Sequence, residues 1–530
     1  MPGGGPPAAR HPVAEQLPLV LATAACTALA IRLLDRVRQG GGLVRGVLAL
    51  LCEHVRPGAQ AAAPVVELAS PGELEAAFAQ RGCGLALAEG ATPASEGQLL
   101  EAVRLILRYS VRANSPYFFN QLYGRCELAS LVGDWVSSAV NGNVHTYEVA
   151  PVFTLMEKHA LARVARAIGP AFGASHDGLF VPGGSLGNVY GMLLARHRAA
   201  PGILLEGASS EPPLVALVSD EAHYSYLKTA RLLGIGSAHL VSVETDAAGA
   251  MLPEALERSI VEAVRAGKKP FFVGATAGTT VLGAFDPLPA LAAVCAERGL
   301  WLHVDGAWGG GALFSQAHRH LLDGCDLADS FSMSAHKMLG AALQCAVFLC
   351  RHPGALRAAN ATSAAYLFQP DKLHADLDVG DKTIQCGRKA DMVKLWMLFK
   401  SLGDAGCAAR IERCFALSDY AASRMRSSGG AFVLAFEPSC TNLCFWYVPE
   451  AMRPLPPKER LDKDHPIHQV APAIKAAMQR GGHAMIGFQA VRGLPNFFRW
   501  VFPSCVGVEE CHIDEILRWM SVFGEQHCLR

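Results

Sequence analysis

Four short apolar runs, at 214–218, 239–243, 271–275 and 301–304, follow one another through the middle of the chain with helical segments between them. A strand with one wet face alternates apolar and polar side chains, whereas runs that do not alternate need cover on both faces. The connecting helices can supply that cover, so the pattern predicts an α/β architecture built on a mostly parallel central sheet. In such sheets ligands bind beyond the carboxyl ends of the strands. With 530 residues, 51% of them apolar, the chain can fill more than one core, and two or three lobes are expected.

Helical spacing of Leu43, Val44, Val47, Leu48 and Leu51, and a helix opening after Ser70-Pro71, predict a helical N-terminal lobe over 43–145. The large sheet domain is placed at 146–402. A small α+β C-terminal domain follows at 403–530, with strands at 443–448 and 497–502. Residues 1–42 read as an extension whose apolar stretch, 17–31, falls short of the roughly 20 residues of a membrane-spanning helix. A membrane span is therefore not expected. Arg32, Arg36 and Arg38 permit organelle targeting, while Glu15 and Asp35 count against it, and the expected location is the cytoplasm. Forty-seven basic residues balance 47 acidic ones without a basic block, so no nucleic-acid partner is expected. The 16 cysteines lack metal-ligand pairing and read as buried, reduced thiols, with no metal site.

Three features in and around the predicted sheet carry chemistry. Gly183-Gly184-Ser185 opens a helical stretch, and helix-start N–H groups with a hydroxyl suit a phosphate. Asp305 follows four apolar residues and is desolvated unless paired, for which a protonated ring nitrogen is a fitting partner; Ala307, two residues on, can pack on the ring face. Lys337, after Ser334-Ala335-His336, is placed to be a buried neutral amine that forms a Schiff base. Together they imply pyridoxal 5′-phosphate (PLP). His223, beyond the run 214–218, is either a structural residue or one that stacks on the cofactor or carries protons.

The chain resembles the group II PLP-dependent decarboxylases, in the branch of cysteine sulfinic acid decarboxylase and glutamate decarboxylase. The resemblance runs from about residue 43 to the C-terminus and is carried by Phe118-Phe119-Asn120-Gln121-Leu122, Thr146-Tyr147-Glu148-Val149-Ala150-Pro151, Ala275-Thr276-Ala277-Gly278-Thr279-Thr280, Tyr366-Leu367-Phe368-Gln369, Gln385-Cys386-Gly387-Arg388 and Asn496-Phe497-Phe498-Arg499. It implies the PLP-dependent transferase fold type I and a homodimer with sites at the subunit interface. By resemblance Lys337 is the Schiff-base lysine, Asp305 pairs the ring nitrogen and His223 stacks on the ring. Gly184, Ser185, Ser334 and His336 lie at the phosphate, and Thr276 and Thr279 support the aspartate and cofactor. Arg499 holds the substrate's α-carboxylate, and Gln121 and Asn143 read its distal acid.

The activity implied is decarboxylation of an acidic amino acid. Ser315–Gly324, Met485–Gln489 and Tyr123 resemble the cysteine sulfinate branch, which forms hypotaurine, whereas Asn143 resembles glutamate decarboxylases, which form GABA. Aspartate, giving β-alanine, is a further acidic substrate. Three departures stand out. Serine replaces the usual asparagine in Met333-Ser334-Ala335-His336-Lys337, and Gly306 replaces an alanine after Asp305. The loop segment 371–381 lacks the family's proton-donating tyrosine, with His374 nearest its place. His374 is then either a substitute acid or a sign that the product is an aldehyde.

Overall fold

The computed structural model describes residues 41–56, 58–207 and 212–528, so the apolar stretch 17–31 lies outside the described residues. Two compact units form, one ending at Arg112 and one beginning at Ala113. The first is helical, with α1 (Gly41–Val55), α2 (Pro71–Gln80) and α3 (Glu96–Tyr109). Its sequence signals are capping boxes: Ser70 and Glu73 exchange bonds at the start of α2, as Ser95 and Gln98 do at α3, which satisfies the first free N–H groups.

The second unit holds two sheets. Its strands are β1 (Phe118–Phe119), β2 (Asp177–Val181), β3 (Leu214–Ser219), β4 (Leu240–Val243), β5 (Lys269–Thr276), β6 (Trp301–Asp305), β7 (Ser330–Ser334), β8 (Ala346–Cys350), β9 (Phe432–Leu434), β10 (Asn442–Tyr447), β11 (Met485–Gln489) and β12 (Phe497–Val501). The large sheet runs β2-β8-β7-β6-β5-β3-β4, parallel from β7 to β4, with β8 antiparallel to both β7 and β2. Every residue of β3, β6, β7 and β8 is buried, which is why these runs show no polar alternation. The small sheet runs β1-β11-β12-β10-β9 and is antiparallel except for β1 against β11.

Three helices beside the sheets matter for the site: α4 (Pro151–Ile168), α5 (Gly184–Ala199) and α6 (Met392–Arg426). Sequence alone places the return to helix after Gly403. The structure starts α6 at Met392 and carries it across a sharp bend, where Gly403 takes φ 61°, ψ −166°. The face of α5 that meets the sheet is made of glycine. A Cβ at Gly187 would come within 2.6 Å of Ser332 Cβ, and one at Gly191 within 2.6 Å of His303 Nδ1. Spacings of three and four residues put both on one helix face with Gly184, so the helix backbone lies directly on β6 and β7.

Behind that face His303 is wholly buried, and burial pushes its imidazole down to about 4. On the opposite side of the sheet Glu157 of α4 accepts a bidentate pair of bonds from Arg388, at 3.0 and 2.5 Å, and also the Phe180 N–H at 2.8 Å. Both side chains are nearly inaccessible. The cysteines correct the expectation of uniform burial. All of those described are free thiols, but Cys52, Cys386 and Cys511 are exposed while nine others are buried.

Two consequences are measurable. Glu157→Ala strands the Arg388 guanidinium without its counter-ion and should cost about 3–5 kcal/mol in denaturant unfolding. The unfolded chain protonates His303 near its ordinary value of 6.5, whereas the fold keeps it neutral down to about 4. The unfolded state therefore binds more protons in that window, and stability should drop as the pH is lowered from about 6.5 to about 4. His303→Gln should remove about 1.4 kcal/mol per pH unit of that slope.

Candidate functional site

Strand register builds the centre of the site. Thr276, Asp305 and Ser332 are aligned partners across β5, β6 and β7, with Thr276 and Asp305 the last residues of their strands. Beyond these ends lies a cavity of about 230 Å³, lined by Gly183, Gly184, Ser185, His223, Tyr224, Thr276, Gly278, Thr280, Asp305, Ala307, Trp308, Ser334, His336 and Lys337. Residues from five separate segments of the sequence therefore meet in one place.

Asp305 is 5% exposed, and both of its oxygens are met: Oδ1 accepts the Ala307 N–H at 3.0 Å and Oδ2 accepts from Asn188 Nδ2 at 2.7 Å. Such bonds hold the carboxylate in one orientation. The Lys337 amine receives no hydrogen bond among the described residues. Burial lowers its pKa, Asp305 opposes that shift, and the Arg499 charge adds to it. The result favours a neutral, nucleophilic amine. His223 Nδ1 lies 2.8 Å from Ser225 Oγ, and burial lowers its pKa against the pull of Asp305. Burial likewise pushes His336 down to about 4, with its Nδ1 held against the Cys345 backbone.

The rim of the cavity is tied to the small sheet. Asn442, the first residue of β10, accepts the Trp308 indole N–H at 2.7 Å and donates to the carbonyls of Thr280 and Val281. Arg499, on β12, donates to the carbonyls of Thr280 and Asn120, both at 3.2 Å, and its Nε is buried without a partner. Among the described residues no carboxylate pairs with Arg499, which leaves a buried guanidinium charge uncompensated.

The remaining residues singled out from sequence lie elsewhere. Thr279 is buried, accepting the Ala284 N–H on its hydroxyl at 3.0 Å, so it braces the turn while Thr280 faces the cavity. Asn143 Oδ1 accepts the Arg388 N–H at 2.7 Å, and Gln121 is exposed. His374 sits in the left-handed region at φ 60°, edge-on to Tyr147 with ring centroids 5.0 Å apart, and does not line the cavity. Sequence reasoning missed Asn188, Ser225, Tyr224, Thr280 and Trp308. The glycine spacing of α5 was the available clue to Asn188, which shares the face of Gly184, Gly187 and Gly191.

The residues present fit PLP. Among the described residues Ser334 Oγ and Thr276 Oγ1 are buried without a partner, and a Cβ at Gly184 would meet Ala307 at 2.7 Å and Ser334 Oγ at 3.3 Å. Close backbone approach at a helix start beside an unused hydroxyl makes a phosphate cradle. Ala307 and His223 are the groups available to a ring that reaches Asp305.

Comparison with known proteins agrees with that chemistry. The pyridoxal-dependent decarboxylase conserved domain matches residues 84–448. Mouse cysteine sulfinic acid decarboxylase is 43% identical over 433 residues, which is 81% of this chain and 86% of that protein. Cattle acidic amino acid decarboxylase GADL1 is 45% identical over 409 residues, 77% of each chain. The crystal structure of mouse CSAD superposes with a TM-score of 0.86 at 40% identity, covering 91% of this chain and 98% of the other. Shared sequence, shared fold and a cavity fitted to PLP lead to one conclusion: the chain belongs to the pyridoxal-dependent decarboxylases.

Proposed function

We propose that this enzyme decarboxylates an acidic amino acid, with cysteine sulfinate its preferred substrate and hypotaurine the product. The observation that carries the reading is Arg499, a buried guanidinium with an unused Nε and no acidic partner among the described residues. Such a group is costly unless an anion completes it, and a substrate carboxylate is a suitable anion. Asn143 is the residue that resembles glutamate decarboxylases, yet its side-chain oxygen is engaged by the Arg388 backbone. That leaves Tyr123 and the segments 315–324 and 485–489 to speak for the cysteine sulfinate branch. Relatives named for cysteine sulfinate and for acidic amino acids support the same reading.

Bound PLP supplies an electron sink for the electron pair of the breaking bond to CO2. In the roles we assign, Lys337 holds the cofactor's aldehyde carbon, Asp305 keeps the ring nitrogen protonated and His223 covers one ring face. Ala307 packs on the ring as well. Gly184, Ser185, Ser334 and His336 take the phosphate, and Thr276 supports the ring side of the cavity. Arg499 would hold the substrate's α-carboxylate and so fix the substrate's orientation in the cavity. In this reading the enzyme acts as a homodimer in the cytoplasm, with its sites at the subunit interface and with Gln121 and Asn143 reading the substrate's distal acid group. In this reading residues 146–402 form the large domain and 403–530 the small one.

A second reading keeps the cofactor and changes the product. Segment 371–381 contains no tyrosine, and His374 packs on Tyr147 outside the cavity lining. If no group delivers a proton to the carbon that has lost CO2, oxygen and water enter the stoichiometry: substrate, O2 and water would give CO2, an aldehyde, ammonia and hydrogen peroxide. Both readings are tested by giving the PLP-loaded enzyme cysteine sulfinate, aspartate and glutamate separately and scoring CO2, amine, aldehyde and hydrogen peroxide. The expected result is amine equal to CO2, with glutamate, one methylene longer, slower by roughly 10–200-fold in kcat/KM. His374→Phe should lower the amine yield if His374 is the acid. Aldehyde with peroxide from the unmodified enzyme establishes the second reading, and preference for glutamate overturns the first.

A further inference from the structure

The carboxylate of Asp305 and the imidazole of His223 are separate in sequence, yet one buried amide touches both of their systems. Asn188 Nδ2 donates to Asp305 Oδ2 at 2.7 Å and to Ser225 Oγ at 2.9 Å, and Ser225 Oγ in turn lies 2.8 Å from His223 Nδ1. On its other side Asn188 Oδ1 lies 3.0 Å from His303 Nε2 and accepts from Ser332 Oγ at 3.3 Å. His303 Nδ1 is 2.8 Å from Ser330 Oγ, which accepts the Trp301 indole N–H at 2.8 Å. Asn188, Ser225, His303, Ser330 and Ser332 are all at most 2% exposed.

The direction of every bond in this chain follows from its two ends. An indole N–H can only donate and an ionised carboxylate can only accept. Trp301 therefore donates to Ser330, and because the Asn188 amide oxygen can only accept, His303 Nε2 carries the proton it donates there while Nδ1 accepts the Ser330 hydroxyl proton. That leaves His303 neutral with its proton on Nε2, donating to Asn188 Oδ1, in keeping with an imidazole whose pKa burial pushes down to about 4. Both amide protons of Asn188 are then spent on Asp305 and Ser225. With Ser225 Oγ occupied as an acceptor, its proton goes to His223 Nδ1, which also accepts the Ser225 backbone N–H at 3.3 Å. His223 is thus set as the Nε2–H tautomer.

We infer that Asn188, oriented from behind by His303, is a positioning residue that fixes both the Asp305 carboxylate and the His223 tautomer for the cofactor ring. The inference rests on the reading that Asp305 and His223 meet that ring. A polar side chain that could rotate would leave Asp305 Oδ2 without its donor and His223 free to carry its proton on either nitrogen. The glycine face of α5 exists in part to admit this amide, since Gly187 and Gly191 flank Asn188 and let it reach the sheet.

The test uses the full-length chain loaded with PLP and compares wild type with Asn188→Leu, His303→Phe and His303→Gln. Glutamine can donate to Asn188 and accept from Ser330, so it is the conservative replacement. Two quantities are read: PLP retained through dialysis, converted to a dissociation constant, and the pH titration of the visible absorbance of lysine-bound PLP. Far-ultraviolet circular dichroism confirms that each variant is folded. Asn188→Leu and His303→Phe should weaken PLP binding by roughly 5–150-fold, the effect of leaving one buried acceptor unmet, and should displace the absorbance titration. His303→Gln should restore both toward wild type. Folded Asn188→Leu and His303→Phe proteins with unchanged PLP affinity and an unchanged titration would overturn the inference. Loss of the visible band in Lys337→Ala, against its presence in wild type, tests the underlying site separately.

Discussion

A carboxylate buried at the end of the central strand is the constraint on which the rest of this site depends. Asp305 sits in a region from which water is largely excluded, and an unmet charge there would be expelled or neutralised. The fold meets it from within, through the Ala307 backbone and the Asn188 amide, and leaves it facing the cavity that also holds Lys337. Satisfying the charge from one side demands that α5 lie close to β6 and β7, which its glycines allow. The same close approach brings the start of α5 to Ser334 and Ala307. The carboxylate and the phosphate cradle are therefore two results of a single packing decision.

The small sheet completes what the large sheet begins. Asn442 and Arg499 both grip the turn around Thr280, so the guanidinium proposed to hold substrate is anchored to the rim of the cofactor cavity and not to a free loop. A buried cation without a carboxylate partner is an expensive feature for a stable fold to carry, and it is intelligible as a place kept for a substrate's acid group. The segment 371–381 follows a different logic. Lys372 pairs with Asp378, and Asp378 accepts the Tyr147 N–H, so the segment is stitched down on the chain's own surface with His374 against Tyr147.

What was legible in the sequence was local. Non-alternating runs marked β3, β5 and β6 because burial on both faces removes the polar positions; Asp305 stood out because it ends such a run, Gly184 because Gly183-Gly184-Ser185 opens a helical stretch, and Lys337 because it follows the strand-like run 330–334. Asn188 and Ser225 were not legible: nothing in their neighbourhood distinguishes them until α5 is laid on the sheet. Tyr224 and Trp308 were hidden for the same reason. The choice between Thr279 and Thr280 as the residue facing the cavity depends on one turn of backbone between β5 and its return at Ala284, below the resolution of a motif. The helix running through Gly403 shows a glycine acting as a bend where a sequence reader sees a boundary.

The account stands on Asp305 holding the cofactor's ring nitrogen in its protonated form, and nitrogen-15 NMR of the enzyme loaded with ring-labelled PLP measures that state directly. A protonated pyridinium shift that persists through the neutral pH range, and moves toward the free pyridine value in Asp305→Asn, is the predicted result. A free pyridine shift in the wild-type enzyme would contradict the central claim, because the buried carboxylate would then have no role in the electron sink.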